Sequence, residues 1–432
     1  MSIFFLVLEA FIYGFAFYLM VNKKELGVLY LPVLFFAFSA LSPTQLYVPL
    51  ALFYGVIGAY ILSLLLKNKY ALIKENPFAI LLFIYFIILL FQASATIKYS
   101  LVYSALVFFI SLPLIPFIYR EYSKEQIIAE LTNSALLILL IFIANVVFSS
   151  VTKFAPTALY GFSKGVLYGY LTNTHFNVIA IALFIVLLAI LRKSNALLIG
   201  VYIISLGFLI LTLRRSATLA GLMGIPIALI TMLTQNAIRK VLGFVVLSCM
   251  VGSIIYYNSS FVSSFEERYQ MRNLDDRAID EEKRFIEYEL LYNDMFELKE
   301  YSPWFGFGLF DSAGNYGRGV FFDRSLHGDL PSIAHSSGLL GVFLYLLMII
   351  TAFSKALKAS KTKSDKIIVL YCILVFLIYT TTGRFTEASC MLLLFFICNI
   401  GQAESEHELE QQVTIIKEEV PSSSYALKQL QG

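Results

Sequence analysis

The chain has 432 residues, of which 59% are hydrophobic, 16% aromatic and 14% charged. A soluble domain carries about 25% charged residues, so this composition excludes a water-soluble globular protein. The apolar residues form uninterrupted runs of membrane-spanning length, which indicates that the surrounding solvent is lipid. The net charge of +3 is too small to suggest a nucleic-acid partner.

Apolar runs of roughly 16 to 22 residues, bounded by charges or turn residues, mark the predicted membrane spans. Each run is predicted to be a helix, because barrel strands are shorter and alternate apolar with polar residues. The predicted fold class is therefore an all-α polytopic membrane protein with about 12–14 transmembrane helices. In chain order the predicted spans are 3–20, 26–41, 45–66, 77–92, 99–119, 133–151, 175–191, 196–213, 217–234, 238–256, 336–356, 366–382 and 386–401.

The short connections between these spans alternate in charge. Every second connection carries lysine or arginine, and the positive-inside rule places those connections in the cytoplasm. The first run lacks a basic leader and a small-residue cleavage site, so we expect a retained span. The basic residues are Lys23, Lys24, Lys67, Lys69, Lys74, Arg120, Lys124, Arg192, Lys193, Arg239, Lys240, Lys355, Lys358, Lys361, Lys363 and Lys366.

The same alternation predicts four regions. An N-terminal bundle of about ten helices occupies 1–256, and a large loop outside the cytoplasm occupies 257–335. The C-terminal helices occupy 336–401, and the acidic tail 402–432 is expected to be cytoplasmic and disordered.

Part of the long loop has the pattern of a helix. Between 280 and 300, apolar and charged residues alternate at helical spacing. This pattern predicts an amphipathic helix that lies on the membrane surface or caps the bundle. The residues expected to line its apolar face are Phe285, Tyr288, Leu291, Tyr292, Met295 and Leu298.

Three arginines are predicted to lie outside the cytoplasm and are exceptions to the positive-inside rule. Arg214 and Arg215 occupy a very short turn between two spans, and Arg384 precedes Glu387 by three residues. One interpretation is that each arginine reaches the lipid headgroups, with Arg384 also paired to Glu387. The alternative is a diphosphate site, because two guanidiniums at a helix N-terminus offer forked donors and add to the helix dipole. That interpretation implies an anionic lipid head as ligand and makes Arg384 a further candidate.

Histidine and cysteine are scarce. His327 and His335 lie in the external loop, where a histidine can act as an acid or base or can be merely polar. His175 lies at the mouth of a span and is a weaker candidate. The four cysteines lie in apolar segments without metal-ligand spacing, so neither a zinc site nor a disulfide framework is expected.

Several short motifs share this external side. An Arg-Arg-Ser turn opens a small-residue helix, the long loop follows, and 302–310 reads SPWFGFGLF. His327 then precedes the GLLG of 338–341 by eleven residues. In this order and spacing the chain resembles the O-antigen polymerase and O-antigen ligase superfamily of bacterial membrane proteins, most clearly over 205–347. The resemblance implies a GT-C-like glycosyltransferase architecture in the inner membrane, with its active site facing the periplasm.

The resemblance also implies a reaction. Members use an undecaprenyl-diphosphate-linked glycan as donor and transfer it to a hydroxyl acceptor, and no cofactor or metal is expected. A polymerase accepts on another undecaprenyl-linked repeat unit, whereas a ligase accepts on lipid A core. The implied partners are these lipid-linked glycans and membrane lipid, together with a chain-length regulator and a flippase.

The family's arginines match positions in this chain. Arg215, with Arg214 beside it, resembles the arginine that holds the diphosphate. Arg284 resembles a second diphosphate-binding arginine, and Arg277 is a rival for that position.

His327 resembles the family histidine that activates the acceptor. Members commonly read His-Asn there, whereas this chain reads His327-Gly328 and lacks the supporting amide. His335 is therefore a second candidate base, and the carboxylates Asp329 and Glu387 are candidates for a general base or an orienting group.

Polymerase is the first prediction from this sequence, because ligases more often conform to the His-Asn pattern. Ligase is the alternative. A transporter or flippase would also explain a helical bundle with intramembrane arginines, but such proteins usually carry internal repeats, and neither the arginine turn nor the long loop is repeated.

Overall fold

The computed structural model describes residues 2–41, 48–67, 74–92, 97–156, 166–212, 214–231, 253, 263, 283–310, 326, 328–382 and 387–404. Every regular element of that part of the chain is helical. Six helical segments in it are long and apolar enough to cross a membrane, or seven if one bent pair is a single span. The prediction of an all-α polytopic membrane protein is thus confirmed.

The helices are numbered in chain order over the described residues. A 3-10 helix, Lys24–Tyr30, precedes α2, a π-helix, Asn293–Glu297, follows α11, and a 3-10 helix, Asn399–Gln402, follows α14. The α-helices are α1 Ser2–Asn22, α2 Leu31–Leu41, α3 Leu50–Lys67, α4 Pro77–Phe91, α5 Tyr99–Ser111, α6 Leu114–Glu121, α7 Lys124–Val151, α8 Asn173–Arg192, α9 Ala196–Leu211, α10 Arg215–Thr231, α11 Lys283–Tyr292, α12 Asp329–Ala359, α13 Lys363–Thr382 and α14 Ala388–Cys398.

Each predicted span coincides with a helix or helix pair, except 238–256, of which the structure describes residue 253 alone. The span predicted as one helix over 99–119 is two helices, α5 and α6, bent by 44°. Pro113 lies at the bend, where its ring fixes φ and removes a backbone donor. Helix α7 begins earlier than predicted because Ser123 and Gln126 form a capping box before its apolar part.

Two helices form the centre of the bundle. Every residue of α14 is buried, and α8 is buried over most of its length. Helices that are apolar all round belong in such a position. The helices α1 and α3 are peripheral and expose large apolar side chains such as Phe11 and Leu66, as expected for surfaces that face lipid.

One end of the bundle gathers the described lysines and arginines of alternate connections, and we call it the basic end. Lys23 pairs with Glu130 at 2.6 Å, and Lys124 pairs with Asp365 at 2.6 Å. Lys67 also forms an ion pair with Glu25. The predicted alternation of charge therefore corresponds to a single surface, on which pairs from distant parts of the chain join neighbouring helices.

Glu75 pairs with two cations at the basic end. It binds Arg120 at 2.8 Å and Lys355 at 3.1 Å, so it links α6 to α12. Burial alone would raise the pKa of Glu75, but the hydrogen bonds and charges of Arg120 and Lys355 outweigh burial and hold this pKa below its ordinary value. The carboxylate thus stabilises the fold as an anion, and this contribution falls as the pH drops through that lowered pKa.

The opposite end, which we call the loop end, is organised around a break in α12. Gly338 has φ +67 and ψ −171 in the middle of this helix. The turn 302–310 docks there, and its carbonyls accept the amides freed by the break, Leu339 to Pro303 at 2.8 Å and Leu340 to Trp304 at 3.3 Å. The break therefore leaves these backbone donors satisfied, as a membrane protein requires.

Glycine is required at this break. A Cβ added at Gly338 would lie 2.2 Å from the backbone of Trp304. We expect Gly338→Ala to destabilise the protein by at least about 1–2 kcal/mol, because a side chain at positive φ is strained and the docked turn must also move. Heat-induced unfolding of the detergent-solubilised protein measures this, and Trp304, the sole tryptophan, reports undocking through its fluorescence.

Gly207→Ala in α9 is the matched control, since a Cβ there meets nothing within 4 Å. Alanine is also the better helix former. Equal losses of stability in the two variants would contradict the role assigned to Gly338.

Candidate functional site

The loop end brings together the starts of several helices. The helices α8, α10, α12 and α14 begin there, and the ends of α2 and α13 lie beside them. The N-termini of helices offer unpaired amides and a positive dipole end. Most of the predicted site residues belong to these helix ends, so the fold collects positions that are far apart in the sequence.

Small residues of α10 allow it to pack closely on α8, and this packing determines where the arginine turn lies. Ala217, Ala220, Gly221 and Gly224 are buried. A Cβ on Gly224 would lie 3.1 Å from Phe184 of α8, so the two helices approach closely. This packing fixes the start of α10, where the two arginines lie.

The two arginines differ in their surroundings. Arg214 is half-buried and its charge reaches the hydroxyl of Tyr379, whereas Arg215 is exposed. The backbone amide of Arg214 donates to Thr212 Oγ1 at 3.3 Å, and its carbonyl accepts from Thr218 at 2.9 Å. The turn is thus held by its own backbone, which leaves the exposed guanidinium of Arg215 able to meet a ligand outside the bundle.

The loop helix α11 lies over the start of α12. Glu287 is buried and its Oε2 accepts from the amide of Gly328 at 3.3 Å. Burial, and after it the charges of Glu287 and Asp329, raise the pKa of Tyr288, so both carboxylates lie near this phenol. The position of Arg284 is in α11, one turn before Glu287.

The predicted apolar face of α11 is partly wrong. The aromatic side chains of Tyr288 and Tyr292 are exposed, as is Leu298 after the π-helix, while Glu287 and Asp294 are buried with Met295. Glu287 faces the bundle, where it binds the N-terminus of α12, whereas Glu289 of the same helix is exposed. Sequence periodicity identified the helix but not this polar contact.

Asp329 and His335 belong to the first turns of α12 and both are buried. The ring of His335 lies 5.3 Å from that of Tyr301 and 5.1 Å from that of Phe307, and its carbonyl accepts from the Phe307 amide at 2.7 Å. These contacts tie His335 to the docked turn. They favour a structural role for His335 and weaken its candidacy as the base.

Glu387 lies immediately before α14. Its Oε1 accepts from Ser389 Oγ at 2.9 Å and from Ser39 Oγ at 3.2 Å, and Ser39 in turn contacts His175 Nε2 at 2.9 Å. Glu387 thus links the end of α2 and, through Ser39, the first turn of α8 to the start of α14.

Other predicted residues lie outside the described residues. These are His327, Arg277 and Arg384, and the side chain of Arg284 is not described either. Among the described residues, no group of three His, Cys, Asp or Glu side chains could hold a metal ion.

Sequence reasoning missed Ser39 and Glu287 and gave His175 little weight. The signal at His175 was its place in TNTHFN, where Thr172 and His175 form a capping box at the start of α8. Ser39 carries no local signal, since its partners are distant in the sequence.

The helices and the polar loop end define a polytopic α-helical membrane protein whose candidate site is built from helix ends at one face. Residues 200–346 match the family model described as O-antigen ligase. The matched segment contains the arginine turn, α11 and the broken start of α12, and it supports membership of the O-antigen polymerase and ligase superfamily. No curated protein matches the chain significantly.

At a coarse level this match supports an enzyme of surface polysaccharide or lipopolysaccharide synthesis that acts on lipid-linked glycans in a membrane.

Proposed function

We propose that the protein polymerises undecaprenyl-diphosphate-linked oligosaccharide repeat units into O-antigen or a related surface polysaccharide. The observation that carries this proposal is the coincidence of the O-antigen ligase match with the loop end, where the arginine turn and the buried carboxylates lie. The reaction transfers a glycan to a sugar hydroxyl of the next unit and releases undecaprenyl diphosphate.

The orientation follows from charge. The basic end faces the cytoplasm of a bacterial inner membrane under the positive-inside rule, so the loop end faces the periplasm. Lipid-linked repeat units must then reach the periplasmic side before transfer. A flippase and a chain-length regulator are the partners expected on this basis.

The donor is bound through its diphosphate. Arg215 is exposed at the start of α10, and Arg214 beside it adds a second guanidinium. A sugar diphosphate leaves as an anion, and fixed guanidiniums stabilise the charge that develops on the leaving oxygen. Arg284 and Arg384 are the further candidates for this role.

The acceptor loses a proton as it attacks. Its hydroxyl oxygen bonds to the anomeric carbon, the bond from that carbon to the diphosphate oxygen breaks, and a base takes the hydroxyl proton. His327 is the first candidate for that base. Asp329 and Glu387 are the candidates for orienting the acceptor.

Ligase is the second candidate function. It is favoured by the family that residues 200–346 match, O-antigen ligase. Against it stands Gly328, which occupies the position where ligases commonly carry asparagine after the histidine. The two functions share a donor and differ in the acceptor, so a cellular experiment can separate them.

Deletion of the gene in its native host, followed by gel separation of the surface polysaccharide, tests the choice. We expect a core that carries a single repeat unit. Bare core, with polymer accumulating on undecaprenyl diphosphate, would instead establish a ligase, and an unchanged ladder would contradict both functions.

We expect Arg215→Ala to abolish polymer in a complementation assay while the protein remains in the membrane. Arg215→Lys should also be strongly impaired, because an ammonium keeps the charge but loses the forked donor pair. Lys193→Ala removes an exposed cation at the basic end and should leave the polymer unchanged. An unchanged length distribution in Arg215→Ala would exclude the diphosphate role.

We expect His327→Ala to lose most activity, on the order of a hundredfold or more for a general base. His335→Ala should chiefly lower thermal stability, because its ring packs on Tyr301 and Phe307. His407→Ala in the tail is the histidine control for both. Near-normal activity in His327→Ala, with loss in a stable His335→Ala, would transfer the base to His335.

A further inference from the structure

A chain of hydrogen-bonded side chains crosses the centre of the loop end. Ser39 near the end of α2 contacts His175 in the first turn of α8 and Glu387 before α14. Ser39 and Glu387 are 348 residues apart in the sequence. Two of the three side chains come from the N-terminal half, and all three lie outside the matched segment 200–346.

A backbone hydrogen bond determines which ring nitrogen of His175 carries the proton. The amide of Thr172 can only donate, and it donates to His175 Nδ1 at 2.7 Å. The proton of the neutral ring is therefore on Nε2, which donates to Ser39 Oγ at 2.9 Å. His175 is buried at 3% exposure, so this arrangement is sheltered from solvent.

Because Ser39 accepts from His175, its own proton is available to donate to Glu387. Its one hydroxyl proton has two principal acceptors, the Phe35 carbonyl at 2.8 Å and Glu387 Oε1 at 3.2 Å. A carboxylate is the stronger acceptor because it is charged. With a lone pair engaged by His175, the Ser39 hydroxyl can interact with the carboxylate or the carbonyl only by donating its one proton.

The two oxygens of Glu387 have different surroundings. Oε1 accepts from both Ser39 and Ser389, whereas Oε2 is buried and has no hydrogen-bond partner among the described residues. The backbone beside it is also anchored, since the Ala388 amide donates to Ser104 Oγ at 2.8 Å. A buried carboxylate oxygen without a donor is costly, so Oε2 keeps the capacity to accept one more hydrogen bond. Sugars carry many hydroxyl donors.

We propose that Glu387 binds a non-reacting hydroxyl of the acceptor sugar through Oε2, and that Ser39 and His175 are positioning residues that hold its carboxylate. This inference rests on the proposed glycosyl transfer and deepens it, because it assigns acceptor orientation to a group outside the matched segment. The attacking hydroxyl still gives its proton to the base. Glu387 holds the sugar ring that carries this attacking hydroxyl.

The test uses the full chain in lipid nanodiscs with separate donor and acceptor. The donor is the host's undecaprenyl-diphosphate-linked repeat unit, and the acceptor is an alkyl glycoside of that unit, which lacks the diphosphate and cannot donate. KM is then measured for each substrate. We expect Glu387→Gln and Ser39→Ala to raise the acceptor KM roughly tenfold or more, the size expected for a hydrogen bond to a charged group, with the donor KM within about twofold.

His175 provides the discriminating variants. His175→Ala should raise the acceptor KM in the same way, and His175→Gln should recover much of the loss because its amide can donate to Ser39. The double variant Ser39→Ala with Glu387→Gln should be no worse than Glu387→Gln alone, since Ser39 acts through Glu387. Ser134→Ala replaces another fully buried serine, in α7, and is the matched control.

Thermal unfolding of each variant separates loss of folding from loss of binding, and Ser39→Thr keeps the hydroxyl if Ser39→Ala does not fold. Unchanged acceptor KM in folded Glu387→Gln would overturn the inference while the proposed function stands. A lower kcat with both KM values unchanged would also overturn it. Absence of transfer by the wild-type protein would instead contradict the proposed function itself.

Discussion

The structure of the loop end depends on the break in α12, because the backbone amides released there need hydrogen-bond acceptors. Inside or beside a bilayer an unpaired amide is costly, and at Gly338 the carbonyls of the 302–310 turn accept the amides that the helix gives up. The stretch 339–359 is about 31 Å long at 1.5 Å per residue, close to the hydrocarbon thickness of a bilayer. The break therefore lies near the membrane boundary, and the first turns of α12 project beyond it with Asp329.

The same break explains the aromatic sequence of the turn. Trp304 and Phe305 are exposed where their backbone docks on α12, at the level where aromatic rings favour the membrane interface. The exposed tyrosines of α11 lie on the same loop, while Glu287 faces the bundle. One segment thus presents aromatic residues outward and still contributes a buried carboxylate to the loop end.

Much of this fold follows from the sequence, and the reasons for the exceptions are physical. Apolar run length identified the helices, and lysine and arginine identified the basic end, because both signals are local. The bend at Pro113 was missed because its two halves form one apolar run. The inward side of α11 was misjudged because one contact, Glu287 with Gly328, outweighed its apolar pattern. The link from Ser39 to Glu387 joins residues from opposite ends of the chain, and no local pattern encodes it.

The hydrogen-bonded chain of His175, Ser39 and Glu387 also limits how this protein can be recombined. The segment that matches the family carries the arginine turn and the broken helix, but the carboxylate before α14 is held by α2 and α8. A chimera that exchanged residues 200–346 alone would import the arginine turn and the broken helix but would keep the recipient's Ser39, His175 and Glu387. On the proposed role of Glu387, a transfer of acceptor specificity would require α2, α8 and the start of α14 to be moved as a unit.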